Sequence, residues 1–166
     1  MGGQSTVFAW VFCSENRAYF DTGGSTPHWR SQSVEFKRRL SDDPSRTRIA
    51  EEELLKSIAA FANTNDGVIV IGVDDSGRVV GLQFDFKQRD RFEQKVRQLA
   101  RSHIRPIPAV QVGFENAQGL EVARVTVPRG EEPAYLIGGV IYVRNGSSDV
   151  QAQPEGLKRL ITEHAL

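Results

Sequence analysis

The chain has 166 residues, 39% hydrophobic and 25% charged, with 21 basic and 21 acidic side chains. That is enough for one domain with its own core, and too balanced for a largely disordered or a globally basic protein. No apolar run approaches the roughly 18 residues of a membrane-spanning helix, and no Lys or Arg precedes the short apolar segment Ser5–Cys13, which argues against a secretory signal.

Cys13 is the single cysteine, so an intramolecular disulfide is impossible and a reducing, cytoplasmic setting is the expectation. Residues 1–29 read as an N-terminal extension with short strands over Val7–Cys13 and Arg17–Phe20, and residues 30–166 read as the main domain. In Val34-Glu35-Phe36-Lys37, Glu35 alternates with apolar neighbours, the pattern of an exposed strand residue paired with a nearby base. Leu54, Leu55, Ile58, Phe61 and Ala62 then recur at helical spacing, and the turn-forming segment Asn63–Gly67 ends that helix. Val68–Val73 is a β-branched run expected to be a strand buried on both faces. Asp74-Asp75-Ser76-Gly77 turns it into a second strand, Arg78–Leu82.

From Phe86 to Arg105 seven bases and two acids leave a net charge of +5. Phe92, Val96, Leu99 and His103 fall on one face of this predicted helix, so the bases are displayed on the remainder and His103 is expected to be packed or half-buried. Pro106 and Pro108 stop the helix. Ala109–Phe114 and Leu120–Val127 form a predicted hairpin, Ala134–Ile137 and Val140–Arg144 two short strands around Gly138-Gly139, and Pro154–Ala165 an amphipathic helix. This order predicts an α+β fold: a mixed, mostly antiparallel sheet with about three helices packed on it.

The ordered set Val34-Glu35-Phe36-Lys37, Ala60-Phe61-Ala62-Asn63-Thr64, Gly67-Val68-Ile69-Val70-Ile71-Gly72-Val73-Asp74-Asp75, Val80-Gly81, Pro133-Ala134-Tyr135 and Tyr142-Val143-Arg144-Asn145-Gly146-Ser147-Ser148 resembles the Schlafen-like AlbA-type domain over roughly Ser33–Gln153. The resemblance implies that fold, and it implies DNA or RNA as partner in a regulatory or transcription-related protein, since bacterial members are generally thought to bind DNA. It also implies an enzymatic alternative, because Schlafen-type members that cut RNA use two glutamates and one aspartate around a divalent metal. The matching positions here are Glu35 and Asp75, while the position of the first family glutamate is Arg30.

Three readings therefore stand side by side. The first is a nucleic-acid-binding module, needing no cofactor, that grips phosphates with Lys37, Arg39, Arg91, Lys95, Arg97 and Arg101 and secondarily Arg144. It expects backbone and shape recognition, because no sequence-reading motif is evident. The second is a ribonuclease with Mg²⁺ or Mn²⁺ held by Glu35 and Asp75, against which Asp74 and Asp75 also read as plain turn chemistry. The third is a protein-interaction or homo-oligomerisation module. Arg144–Ser148 reads either as a phosphate-cradling nest or as a hairpin exit. The three histidines have no ligand-like spacing, and Gly23-Gly24-Ser25-Thr26 lacks the lysine of a phosphate-binding loop.

Overall fold

The structure, a computed structural model, describes residues 10–13, 17–20, 34–37, 44–75 and 77–164. Strands β1 (Trp10–Cys13) and β2 (Arg17–Phe20) form an antiparallel pair of their own, as the sequence predicts for the part of Val7–Cys13 that is described. The first large sheet has the order β3-β4-β7-β6, from β3 (Val34–Lys37), β4 (Gly67–Ile71), β6 (Gln111–Ala117) and β7 (Leu120–Val127). Here β3 runs parallel to β4, while β7 pairs antiparallel with both β4 and β6. The second large sheet, all antiparallel, has the order β10-β9-β8-β5, from β5 (Ile104–Arg105), β8 (Leu136–Ile137), β9 (Val140–Asn145) and β10 (Ser148–Gln151). With helices α1 (Pro44–Asn63), α2 (Phe86–His103) and α3 (Pro154–His164), the described residues make the α+β architecture that the alternating patterns predict.

Helix α1 touches both large sheets and supplies much of the core. Its apolar stripe Leu54, Leu55, Ile58 and Phe61 is buried, and it meets Ile69 and Ile71 of β4 and Val125 and Val127 of β7. The predicted double burial of β4 is observed along its whole length, because one face takes α1 and the other is covered as well. Gly67 begins this strand because a Cβ there would lie 2.0 Å from the Phe61 ring.

The chain then leaves the sheet through Gly72, whose φ of 109° suits glycine and whose carbonyl accepts from the N–H of both Val80 and Gly81. The predicted strand Arg78–Leu82 consequently survives only as isolated bridges, Val73 to Val79 and Leu82 to Glu121. Helix α2 stops two residues before the predicted end. Ile104 is extended at φ −107° and ψ 133°, and β5 turns away to pair with β8. Of the two readings of Arg144–Ser148 the hairpin is the one observed: Gly146 at φ 58° closes it between β9 and β10. Among the described residues no helix is long and apolar enough to cross a membrane.

Candidate functional site

The sequence places bases on α2, and the packing of α2 sorts them. Asp85 opens the helix with a reciprocal cap: its carboxylate accepts from the Gln88 N–H at 2.8 Å, and its own N–H donates to Gln88 Oε1 at 2.8 Å. Phe92, Val96 and Ala100 are buried, and Phe92 joins Phe84 and Phe114 at ring separations of 5.5 and 6.0 Å. Ala100 holds the core position that periodicity assigned to His103. His103 is exposed, at the last position of the helix, with Nδ1 beside the Leu99 carbonyl.

With that face fixed inward, the opposite meridian carries Lys87, Arg91, Gln94, Gln98 and Arg101, alternating four and three residues apart, and all are exposed. The flanking bases are ion-paired: Arg89 with Glu121, Lys95 with Glu51 at 2.6 Å, and Arg97 with Glu93 at 2.8 Å. Arg97 also donates to the Val110 carbonyl at 3.3 Å. Lys87, Arg91 and Arg101 form no ion pair with a carboxylate among the described residues. Arg105 donates to the carbonyls of Arg101 and Ile104, closing the electronegative end of the helix. The outward ridge is therefore a line about 21 Å long, set by the helical rise, of cations and amides, with Asp90 beside it accepting from Gln94 Nε2 at 2.9 Å.

The other predicted contacts lie elsewhere. Lys37 ends β3, at one edge of the first sheet, whereas α2 packs along β6 at the other edge. Three strand spacings, about 14 Å, separate those edges. Arg39 and Arg30 lie outside the described residues.

Arg144 is enclosed, with its side chain at 0% exposure. Its guanidinium donates to Glu35 Oε2 at 3.1 Å and to Asp149 Oδ1 at 2.7 Å, and it lies 4.8 Å from the Phe61 ring centroid. Glu35 is accordingly buried and paired with a base 109 residues away, not exposed beside a neighbouring one. Asp149 also accepts from Ser57 Oγ at 2.6 Å, which ties β10 to α1. Periodicity gave no signal for Asp149 or Ser57, because an acid next to a hairpin turn and a serine within a helix are both common on surfaces.

The Asn63-Thr64 end of α1 acts as a fastener. Asn63 Nδ2 donates to the carbonyls of Tyr135 and Tyr142 at 2.8 Å, and the Tyr135 N–H donates to Asn63 Oδ1 at 2.7 Å. Thr64 Oγ1 accepts from the Arg144 N–H at 2.9 Å. Beyond β4, Asp74 accepts from the Arg78 N–H at 3.0 Å and from Arg78 Nε at 3.3 Å, which is turn chemistry, while Asp75 is exposed on the same turn.

A divalent ion requires several hard oxygen donors. Glu35 and Asp149 instead share one guanidinium, and among the described residues no three His, Cys, Asp or Glu side chains converge. Glu35, one of the two ligands that the resemblance implies, is thus committed to Arg144, and among the described residues the donors around it do not fit a divalent metal.

The family model described as Schlafen, AlbA_2 matches residues 31–153, which takes in both large sheets and all of α1 and α2. The chain belongs to the Schlafen AlbA_2 family. The residues that fasten β3, α1 and β9 together, Glu35, Asn63, Thr64 and Arg144, all lie within the matched span. The crystal structure of the DIP2311 protein from Corynebacterium diphtheriae shares the fold at a TM-score of 0.61 and 20% identity, over 89% of this chain and 26% of that one. This AlbA_2 chain therefore spans about a quarter of the length of that protein. The solution structure of the N-terminal domain of an ATP-dependent DNA helicase RecG-related protein from Nitrosomonas europaea is similar at a TM-score of 0.45 and 26% identity, over 72% of this chain and 82% of that one. Among curated protein sequences none matches.

Proposed function

We propose that this AlbA_2 chain is a nucleic-acid-binding module that engages the phosphate backbone through the outward ridge of α2. The observation that carries the reading is the division of bases on that helix. Those on the flanks are neutralised by Glu51, Glu93 and Glu121, whereas Lys87, Arg91 and Arg101 face solvent together. A row of cations over about 21 Å is matched to a line of phosphates, and each contact releases condensed counterions. Lys95 and Arg97, held by their acids at the flanks, are positioned to add contacts once a polyanion competes for them. Recognition through one charged ridge reads backbone and shape, not base sequence.

The test is titration into labelled duplex DNA and structured RNA at several salt concentrations, with Mn²⁺ present and absent. Binding is expected to weaken steeply with salt. Lys87→Glu/Arg91→Glu/Arg101→Glu is expected to weaken it and to lower the salt slope by roughly one unit per lost contact. Unchanged binding in that variant would reject α2 as the contact surface. Cleavage that requires Mn²⁺ and vanishes in Asp75→Ala would replace this reading with the ribonuclease one, and self-association without salt-sensitive binding would replace it with an oligomerisation module.

A further inference from the structure

Beside the ridge, between the C-terminal half of α2 and the segment Ile107–Gln111 that leads into β6, lies an open groove of about 560 Å³. That size is within the range of about 300–1,000 Å³ in which small ligands are held. Its two walls differ in chemistry. One is polar and comes from α2: Gln94, Gln98, Arg97 and Arg101. The other is mainly apolar and presents Ile107, which is 56% exposed, and the exposed Ala109. Among the described residues no carboxylate lines the groove.

Resting on the phosphate-binding reading of α2, we infer that this groove receives an unpaired nucleobase, so that the module prefers single-stranded nucleic acid to duplex. Charge complementarity selects the occupant. The cations at the groove mouth are continuous with the ridge, so the ligand they call for is anionic, yet an apolar wall has nothing to offer a phosphate. A nucleotide satisfies both, with its phosphate on the ridge and the flat face of its base against Ile107 and Ala109. In a duplex the base faces are stacked and cannot reach this wall, whereas single strands are bound by combining a basic track with surfaces that take bases. The Gln98 amide, which makes no hydrogen bond among the described residues, is placed to pair with a base edge, and the exposed Arg101 guanidinium can lie over its face.

The test compares a fluorescent single-stranded oligonucleotide, a duplex of the same length, and the single strand carrying abasic sites, each titrated with the whole 166-residue chain. The single strand is expected to bind at least about fivefold more tightly than the other two, the effect of covering one exposed apolar side chain with a base. Ile107→Ala, which changes no charge and lies off the ridge, is expected to remove that preference and leave the salt slope intact, and Gln98→Ala is expected to reduce the preference. Circular dichroism of both variants verifies the fold, and the abasic comparison needs no variant. Equal binding of the three ligands by the wild type would overturn the inference while the ridge reading stands. A single-strand preference that survives both substitutions would overturn the groove as its source. Absence of salt-dependent binding to any of the three would overturn both readings together.

Discussion

Replacing Arg144 with Met tests whether this residue of β9 is an internal fastener. The wild-type guanidinium is fully enclosed and donates to Glu35 at 3.1 Å and Asp149 at 2.7 Å, whose side chains are only 10% and 11% exposed. Arg144→Met keeps most of the stem that packs over Phe61 but leaves two carboxylates in a site shielded from water. Removing one partner of a buried ion pair costs about 3–5 kcal/mol, chiefly because the remaining charge is uncompensated. For a domain of this size each kcal/mol moves the melting temperature by about 2–4 °C, so a loss of about 6–20 °C is expected by differential scanning calorimetry. The same argument requires that Glu35→Gln/Asp149→Asn added to Arg144→Met restores most of the loss, because the charges that made the site costly are then gone. Arg144→Met that melts within about 2 °C of wild type would refute the reasoning, since no buried charge would then have been uncovered.

Three further outcomes follow from contacts of the same kind. Asn63→Asp is expected to cost about 2–4 kcal/mol in chemical denaturation, no less than Asn63→Ala, because both Nδ2 donations to the Tyr135 and Tyr142 carbonyls are lost inside the protein. Gly67→Ala should destabilise by about 2–3 kcal/mol, since its Cβ would fall 2.0 Å from the ring of Phe61, which is fully buried; a neutral result in the same assay would contradict the close approach. A hydrogen bond from Arg159, with a further one from Arg129, holds the Glu163 carboxyl below its ordinary range. A lowered carboxylate supports the fold above that range and loses its contribution as pH falls through the lowered value. Amide-exchange protection of α3 should therefore fall on acidification in the wild type and change less with pH in Glu163→Gln, and identical profiles would show that the Arg159 and Arg129 contacts to Glu163 do not support α3.

The fold was legible where local pattern and burial agree. The stripe Leu54, Leu55, Ile58 and Phe61 announced α1, and Val68–Val73 announced β4, because apolar periodicity reports directly on the faces turned inward. The short pieces were not legible. Strand β5 has two residues and exists only because β8 pairs with it, and Arg78–Leu82 has strand-like composition but lacks a ladder to join.

The bases on α2 were legible as a group, and their spacing also held the division into ridge and flanks. Which of them were neutralised depended on Glu51 and Glu121, which come from distant parts of the chain. Arg144 shows the limit most clearly. Next to an Asn-Gly-Ser-Ser turn it had the character of a surface base, and only the meeting of β3, β9 and β10 turns it inward.

The most direct test of the central claim is to follow the backbone amide resonances of the chain while a single-stranded oligonucleotide is added. The largest shifts are expected along Lys87, Arg91, Gln94, Gln98 and Arg101, extending to Ile107, with Arg144 and its neighbours in β9 unmoved. Shifts concentrated at the β9–β10 hairpin or around Asp75, with α2 silent, would contradict it.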